Sequence, residues 1–139
     1  MNTIALHPGA NLPTPAMRRT GLVASTLVTL FLAADAVSQL LAIPPVLAGA
    51  THIGFPATPA LWQAIGAVLL LATVLQAIPR TAFLGAVIVT GYLGGAICSH
   101  VRVGEDVLAP TIASLLIATV MWAGLVLRDA RLREVLAGR

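Results

Sequence analysis

The sequence has no lysine, one cysteine and few charges of either sign. Charged residues make up only 9% of its 139 residues, and all eight basic residues are arginine. The single cysteine, Cys98, excludes an intramolecular disulfide and any dithiol chemistry within the chain. Aromatic residues make up 4%, too few to interleave with arginines along a groove that binds nucleic acid. These scarcities exclude a disulfide scaffold and argue against a nucleic-acid partner.

Apolar residues are what the chain has in excess. They form 58% of the sequence, and the mean hydropathy is +0.96, far outside the range of soluble proteins. Four apolar segments approach or exceed the roughly 20 residues that a helix needs to cross the hydrocarbon core. They cover residues 21–43, 61–78, 82–99 and 109–127. Since none alternates with a period of two, a membrane barrel is disfavoured, and the sequence predicts an all-α, four-helix transmembrane bundle.

Prolines and arginines mark the limits of this bundle. Pro44 and Pro45 end the first span, and Pro79 separates the second from the third. We predict a disordered tail over residues 1–19, a transmembrane domain over residues 20–127 and a basic tail over residues 128–139. The segment between Pro44 and Pro59 is expected to be a loop.

The arginines predict an orientation, with both termini in the cytoplasm. Positively charged residues are enriched on the cytoplasmic side of membrane proteins. In this orientation one arginine, Arg102, lies outside, next to Glu105 and Asp106. Seven lie inside: Arg18, Arg19, Arg80, Arg128, Arg131, Arg133 and Arg139. The net charge of +3 then serves orientation and contact with anionic lipid, and the lipid bilayer is the first expected partner.

Asp35 is the one charged residue within the four apolar segments. A carboxylate in the hydrocarbon costs about 2.5–3.5 kcal/mol on insertion scales, so it needs compensation. Gln39 follows one helical turn later on the same face. The third span delivers His100 and Arg102 to the same end of the bundle, and Tyr92 lies within that span as a candidate pocket wall. These five residues form the predicted polar cluster.

Three interpretations of this cluster remain open. In the first, Arg102 or protonated His100 neutralises Asp35 and ties the first helix to the third. In the second, the cluster is a polar pocket that binds a small ligand or handles a proton. In the third, Asp35 is neutral and hydrogen-bonded because it is buried. No metal site is predicted, since His52, His100 and one carboxylate lack a ligand spacing.

Small residues recur along the third span. Gly91, Gly95 and Ser99 follow one another at intervals of four, and Gly94 lies on an adjacent ridge. Ridges of this kind let two helix backbones approach closely. We expect them to pack within the monomer, and a homo-oligomer seam is the alternative.

Three stretches resemble a known family. They are IPRTAFLGAVIVTGYLGGAICSHVRVGE (residues 78–105), HIGFP (52–56) and WAGLVLRDARLRE (122–134). Together they are similar to the DoxX-like family of small bacterial membrane proteins. The resemblance implies a multi-pass protein of the inner (cell) membrane. It also implies that a basic residue should follow the acidic one by four positions in the first helix; Asp35 fits, whereas Gln39 departs from this pattern.

The functional hypothesis combines this resemblance with the chemistry of the residues. Related branches of the family are associated with membrane redox assemblies, including quinone-linked thiosulfate oxidation and oxidative-stress complexes. The sequence shows no catalytic motif and no evident cofactor motif, so we expect an accessory subunit with an oxidoreductase partner, and a quinone is a candidate ligand. One alternative is a proton-coupled transporter or small-molecule binder that uses Asp35. Another is an intramembrane enzyme in which Asp35 and His100 form an acid–base pair.

Overall fold

The computed structural model describes residues 14–104 and 108–136, apart from the side chains of residues 131, 135 and 136. Glu105, Asp106, Arg139 and residues 1–13 of the predicted tail lie outside this part. The described residues form six helices: α1 (Pro15–Leu40), α2 (Pro44–His52), α3 (Pro59–Ala77), α4 (Ala82–Val103), α5 (Leu108–Arg128) and α6 (Ala130–Leu136). Of these, α1, α3, α4 and α5 are long and apolar enough to cross a membrane. This confirms the four-helix transmembrane bundle, while the orientation of its termini stays a prediction.

The first helix begins earlier than its apolar residues suggest. The Thr14 hydroxyl accepts a hydrogen bond from the backbone N–H of Met17, at 3.2 Å, and Pro15 occupies the first helical position. Both features stabilise a helix N-terminus, because they deal with backbone N–H groups that have no partner within the helix. Residues 15–19, which the sequence analysis placed in the tail, are therefore helical.

A short helix replaces most of the predicted loop between the first two spans. Proline cannot continue α1, since it has no N–H to donate, but it suits the first turn of a new helix. Pro44 and Pro45 accordingly begin α2. The connection turns sharply at Ala42, whose φ of 46° is positive, a conformation that residues other than glycine rarely adopt. α2 thus folds back over the end of the bundle instead of extending α1.

The four long helices run alternately up and down around one apolar core. α1 packs against α3 and α5, and α4 packs against the same two helices, so α1 and α4 are diagonal to each other. Core side chains include Leu32, Leu69, Val89, Met121 and Leu125. The outer surface is apolar as well: Leu27, Phe31, Leu71 and Leu115 are each between 55% and 62% exposed. A surface of this kind is suited to lipid and not to water.

Several glycines let two helices of the bundle approach closely, but they are not the glycines that the sequence pattern indicated. A Cβ added at Gly66 of α3 would lie 2.9 Å from the Ala36 carbonyl oxygen of α1, and one at Gly85 of α4 would collide with the backbone of Gln76. Only glycine permits these approaches.

The predicted ridge on α4 faces outward. Apart from adjacent residues and the nearby backbone of α4 itself, no described atom lies within 4 Å of a Cβ built at Gly91, Gly94 or Gly95. The Ser99 hydroxyl donates to the Gly95 carbonyl of the same helix. The expectation that these glycines pack within the monomer is therefore wrong. The spacing of small residues shows that a helix face permits close approach, but it does not say whether another helix lies there.

Side chains also fix the end of the bundle where α1 begins. The Thr81 hydroxyl donates to the Leu75 carbonyl at the end of α3, at 2.8 Å, which holds the turn into α4. Asp129 accepts a bond from the backbone N–H of Leu132 and so starts α6. Leu132 is only 8% exposed and belongs to the core cluster. α6 therefore folds back against the bundle.

Candidate ligand-binding cavity

Three polar side chains meet at the opposite end of the bundle, where α1 ends. Asp35 and Gln39 are one turn apart on α1, and Tyr92 reaches them from the diagonal helix α4. Gln39 Nε2 donates to Asp35 Oδ2 at 3.0 Å and to the Tyr92 hydroxyl oxygen at 2.6 Å. The Tyr92 hydroxyl donates to the same Asp35 oxygen at 3.4 Å. We call these three residues the polar triad.

Gln39 and Tyr92 compensate Asp35 by hydrogen bonds. Gln39 supplies a hydrogen-bond donor at the position where the resemblance implied a basic residue, and it is 4% exposed. A buried carboxylate that accepts two hydrogen bonds is much less costly than one with no donor. Asp35 lies five residues before the end of α1, which places it about 7.5 Å from that end. Asp35 therefore lies nearer to the end of α1 than to its middle.

Two residues of the triad, Asp35 and Gln39, line an open cavity of about 220 Å³ at the protein surface. α1 contributes Asp35 and Gln39, α4 contributes His100, and α3 contributes Trp62. The remaining wall comes from α2 and the residue after it: Pro45, Val46, Gly49, Ala50 and Ile53. The cavity thus combines a carboxylate, an amide and an imidazole with an aromatic ring and an apolar wall. Pockets for drug-sized ligands occupy about 300–1,000 Å³, so this one fits a single ring or head group.

Arg102 holds in place the segment after α2, which begins at the cavity wall with Ile53. Its Nη2 atom donates to the carbonyl oxygens of Ile53 and Gly54, at 3.0 and 3.2 Å. The guanidinium also lies over the Phe55 ring, 5.2 Å from the centroid, and Phe55 meets Trp62 edge to face. Arg102 therefore fixes the segment after α2 against α4 and α3.

The structure brings four of the five predicted cluster residues together. Asp35, Gln39 and Tyr92 form the triad, and His100 lines the same cavity. Arg102 is bound instead to the segment after α2, so the predicted neutralisation of Asp35 by Arg102 is not found. The sequence analysis treated that segment as a plain loop, and nothing in its pattern showed that its carbonyl groups would face an arginine.

A second polar network, at the other end of α3, had no signal in the sequence. The Thr29 hydroxyl on α1 donates to Gln76 Oε1 at 2.9 Å, and Arg128 Nη2 on α5 donates to the Gln76 carbonyl oxygen at 3.0 Å. Gln76 is fully buried, and its Nε2 has no hydrogen-bond partner among the described residues. The contacts join three helices through one buried side chain, which indicates a structural role.

Two other features of the described residues are not ligand sites. A depression of about 350 Å³ is lined by Pro15, Arg18, Arg19 and Leu22, all from one helix, so it is a groove on the surface of α1. In the described part of the chain, no group of three or more His, Cys, Asp or Glu residues could hold a metal ion. The cavity beside the polar triad is therefore the candidate functional site.

Comparison with known proteins agrees with the fold. The model of the DoxX-like family matches residues 23–124, which include the polar triad, His100 and Arg102. No curated protein and no solved structure matches the chain. The family match covers well over half of the sequence and extends from the first membrane-crossing helix to the last. With its four apolar helices, the chain is thus a multi-pass membrane protein that belongs to the DoxX-like family.

Proposed function

We propose that the chain is an accessory membrane subunit of a redox or oxidative-stress system, and that the cavity beside the polar triad binds the head group of a lipid-soluble quinone. The observation that carries this proposal is the position of Asp35, Gln39 and His100 on the wall of a 220 Å³ cavity. The volume suits one substituted ring. Trp62 and the apolar residues of α2 offer contacts to the ring, and Asp35, Gln39 and His100 form the polar part of the wall.

An accessory role is favoured because the chain's own residues include no dithiol that could transfer two electrons. Cys98 is the only cysteine of the sequence, so the chain has no second thiol with which to form an internal disulfide and pass on two electrons. Electrons that enter or leave a bound quinone would therefore be exchanged with a partner oxidoreductase. The association of related branches of the family with membrane redox assemblies supports the same role.

Tryptophan fluorescence tests the binding part of this proposal. A Trp122→Phe background leaves Trp62, on the cavity wall, as the remaining tryptophan. Titration with a short-chain ubiquinone analogue in detergent should quench its fluorescence to saturation. Ala50→Leu should abolish the saturable phase, since Ala50 is fully buried on the cavity wall and a larger side chain fills the space. Quenching that is linear, or equal in both proteins, would show partition into micelles and contradict binding at this site.

Affinity purification tests the partner. The full-length chain, isolated in a mild detergent from its native membrane, should bring an oxidoreductase with it. Repeated recovery of the chain alone would count against the accessory role. Saturable quinone quenching without a partner would retain the binding site but not the assembly.

A second candidate function, proton-coupled transport of a cation, is favoured by one observation, the Asp35 carboxylate on the cavity wall. Proteoliposomes with an imposed pH gradient should then take up a cationic dye, and Asp35→Asn should abolish the uptake. If proteoliposomes with the unmodified protein take up no dye, this function is ruled out.

A further inference from the structure

α2 forms one wall of the cavity and packs lightly on the bundle, chiefly against α3. Pro45, Val46, Gly49 and Ala50 of this helix line the cavity. Of its nine residues, all of them described, Ala50 is the one that is buried. A helix with so little apolar burial has few contacts that oppose its displacement. The packing of α2 therefore permits this wall to move.

Residues with a positive φ lie on both sides of α2. Ala42, before the helix, has a φ of 46°, and Gly54, after it, has a φ of 71°. Glycine adopts this conformation freely, whereas alanine does so at a cost, so the connection at Ala42 is strained. Hinges are formed by a few residues at the ends of elements, which take up the change in φ and ψ. These two positions are therefore suited to act as hinges for α2.

The segment after α2 is what holds this wall against the bundle. Arg102 binds two backbone carbonyl oxygens of the segment and lies over the Phe55 ring, which meets Trp62 on the cavity wall. The Trp62 indole N–H also donates to the Pro56 carbonyl oxygen, at 3.1 Å. Because Arg102 is exposed, water can replace its hydrogen bonds when the segment moves away.

From these observations we propose that α2 is a movable wall that controls access to the cavity, and that Arg102 holds this wall closed. α2 moves about Ala42 and Gly54 when Arg102 releases the segment after it, and it closes again once the ligand is in place. The cavity is open at the protein surface, but a head group that fills about 220 Å³ has little clearance, so its entry and exit depend on this movement. The inference rests on the proposed function for the identity of the ligand and adds the step that limits ligand exchange.

Stopped-flow fluorescence of Trp62, in the Trp122→Phe background, measures the exchange of decylubiquinone by the full-length protein in detergent. In Arg102→Ala the open form is more populated. Association and dissociation rate constants should both rise about 30-fold, the factor expected when two hydrogen bonds and a cation–π contact are lost. Since both change together, Kd should change by less than about threefold. A higher Kd without faster association would mean that Arg102 only supports the binding site, and would refute the movable wall.

Arg80→Ala is the matched control for this experiment. It removes an exposed arginine from the turn between α3 and α4, at the other end of the bundle. Neither rate constant should change in this variant.

A disulfide between the segment after α2 and the end of α4 tests the same movement with Arg102 in place. A Cβ at position 54 would lie 3.2 Å from Val103 Cγ1, so the thiols of a Gly54→Cys, Val103→Cys pair can reach each other. In a Cys98→Ser background, oxidation with copper phenanthroline should slow quinone association and dissociation by about tenfold or more relative to the reduced protein. Dithiothreitol should restore both rates. The comparison is made within one protein, so the strain of a cysteine at position 54 is present in both forms.

Acrylamide quenching of Trp62 reports the movement without any ligand. Opening removes Phe55 and Pro56 from the indole, which becomes more accessible to the quencher. The quenching rate constant should therefore be higher in Arg102→Ala than in the parent, and lower in the oxidised cysteine pair than in the reduced one.

The outcomes separate this inference from the proposed function. If quinone binds, but neither its exchange rates nor acrylamide quenching respond to Arg102→Ala or to oxidation, the movable wall is refuted and quinone binding remains. If acrylamide quenching responds as expected but no protein shows saturable quinone binding, the movable wall is retained and the proposed ligand is refuted. If quinone does not bind and quenching does not respond, both are refuted.

Discussion

Loss of the Arg102 side chain should free the segment after α2 and expose the cavity. The guanidinium makes two hydrogen bonds, to the carbonyl groups of Ile53 and Gly54, and one cation–π contact with Phe55. Net values of about 0.5–1.5 kcal/mol per hydrogen bond and about 0.5–1 kcal/mol for an exposed cation–π contact apply here. Because Arg102 is exposed to solvent, we take values near the lower ends and expect Arg102→Ala to ease local opening by about 2 kcal/mol.

Thiol labelling reports this opening. Ala50 on α2 is fully buried, so in a Cys98→Ser background an Ala50→Cys protein carries one protected thiol. When opening and closing are fast, the rate of labelling by a water-soluble maleimide follows the population of the open form. A change of about 2 kcal/mol then raises the labelling rate about 30-fold in Arg102→Ala. Circular dichroism melting must show that the bundle itself stays folded.

Two further variants divide the effect between its contacts. Phe55→Leu removes the ring but keeps both hydrogen bonds, and labelling should rise only about twofold to fivefold. Arg102→Lys keeps the charge but loses the planar fork of donors, so it should resemble the alanine variant more than the unmodified protein. If Arg102→Ala labels as slowly as the parent, the segment is held by other contacts and the assigned role of Arg102 is wrong.

Three other predictions concern packing, the second polar network and orientation. Gly66→Ala should destabilise the detergent-solubilised protein by about 1–3 kcal/mol, because its Cβ meets the α1 backbone at 2.9 Å. Gly94→Ala should be neutral or stabilising by up to about 1 kcal/mol, since its Cβ meets nothing and alanine is the better helix former. Equal melting temperatures of the two variants would contradict this. Thr29→Val should lower the free energy of unfolding, measured by chemical denaturation, by about 1–2 kcal/mol, since it leaves Gln76 Oε1 unpaired. Adding Gln76→Leu to this variant should recover part of the lost stability. An unchanged stability of Thr29→Val alone would show that water replaces the hydroxyl. Alkaline phosphatase fused to the C-terminus should be inactive, because the arginine bias places that end in the cytoplasm, and an active fusion would reverse the topology.

The candidate site was only partly accessible to sequence reasoning. Asp35 stood out because a charge in an apolar span needs compensation, and Gln39 followed from helical spacing. His100 was placed at the right end of the bundle by the up-and-down order of the spans. The partnership of Tyr92 with Gln39 was not predictable, since it joins diagonal helices and depends on how the bundle is rotated.

The roles of Arg102 and α2 required the fold. A double proline after an apolar span indicates a stop, and it equally indicates a start, so α2 was missed. The sequence analysis paired Arg102 with the half-buried Asp35 carboxylate, whereas the structure pairs it with backbone carbonyl groups. Which one it reaches depends on the path of residues 53–55, and the hydropathy pattern carries no information about that path.

The sequence by itself determined that this chain crosses a membrane four times, because segments of about 20 apolar residues have no other stable environment and must satisfy their backbone within helices. The limits of the four apolar segments lie within six residues of the limits of these helices. The tertiary structure alone decided which glycines touch a neighbouring helix and which side chains meet across the bundle. Helix formation depends on local chemistry, whereas the rotation of each helix is set by packing against all of its neighbours at once.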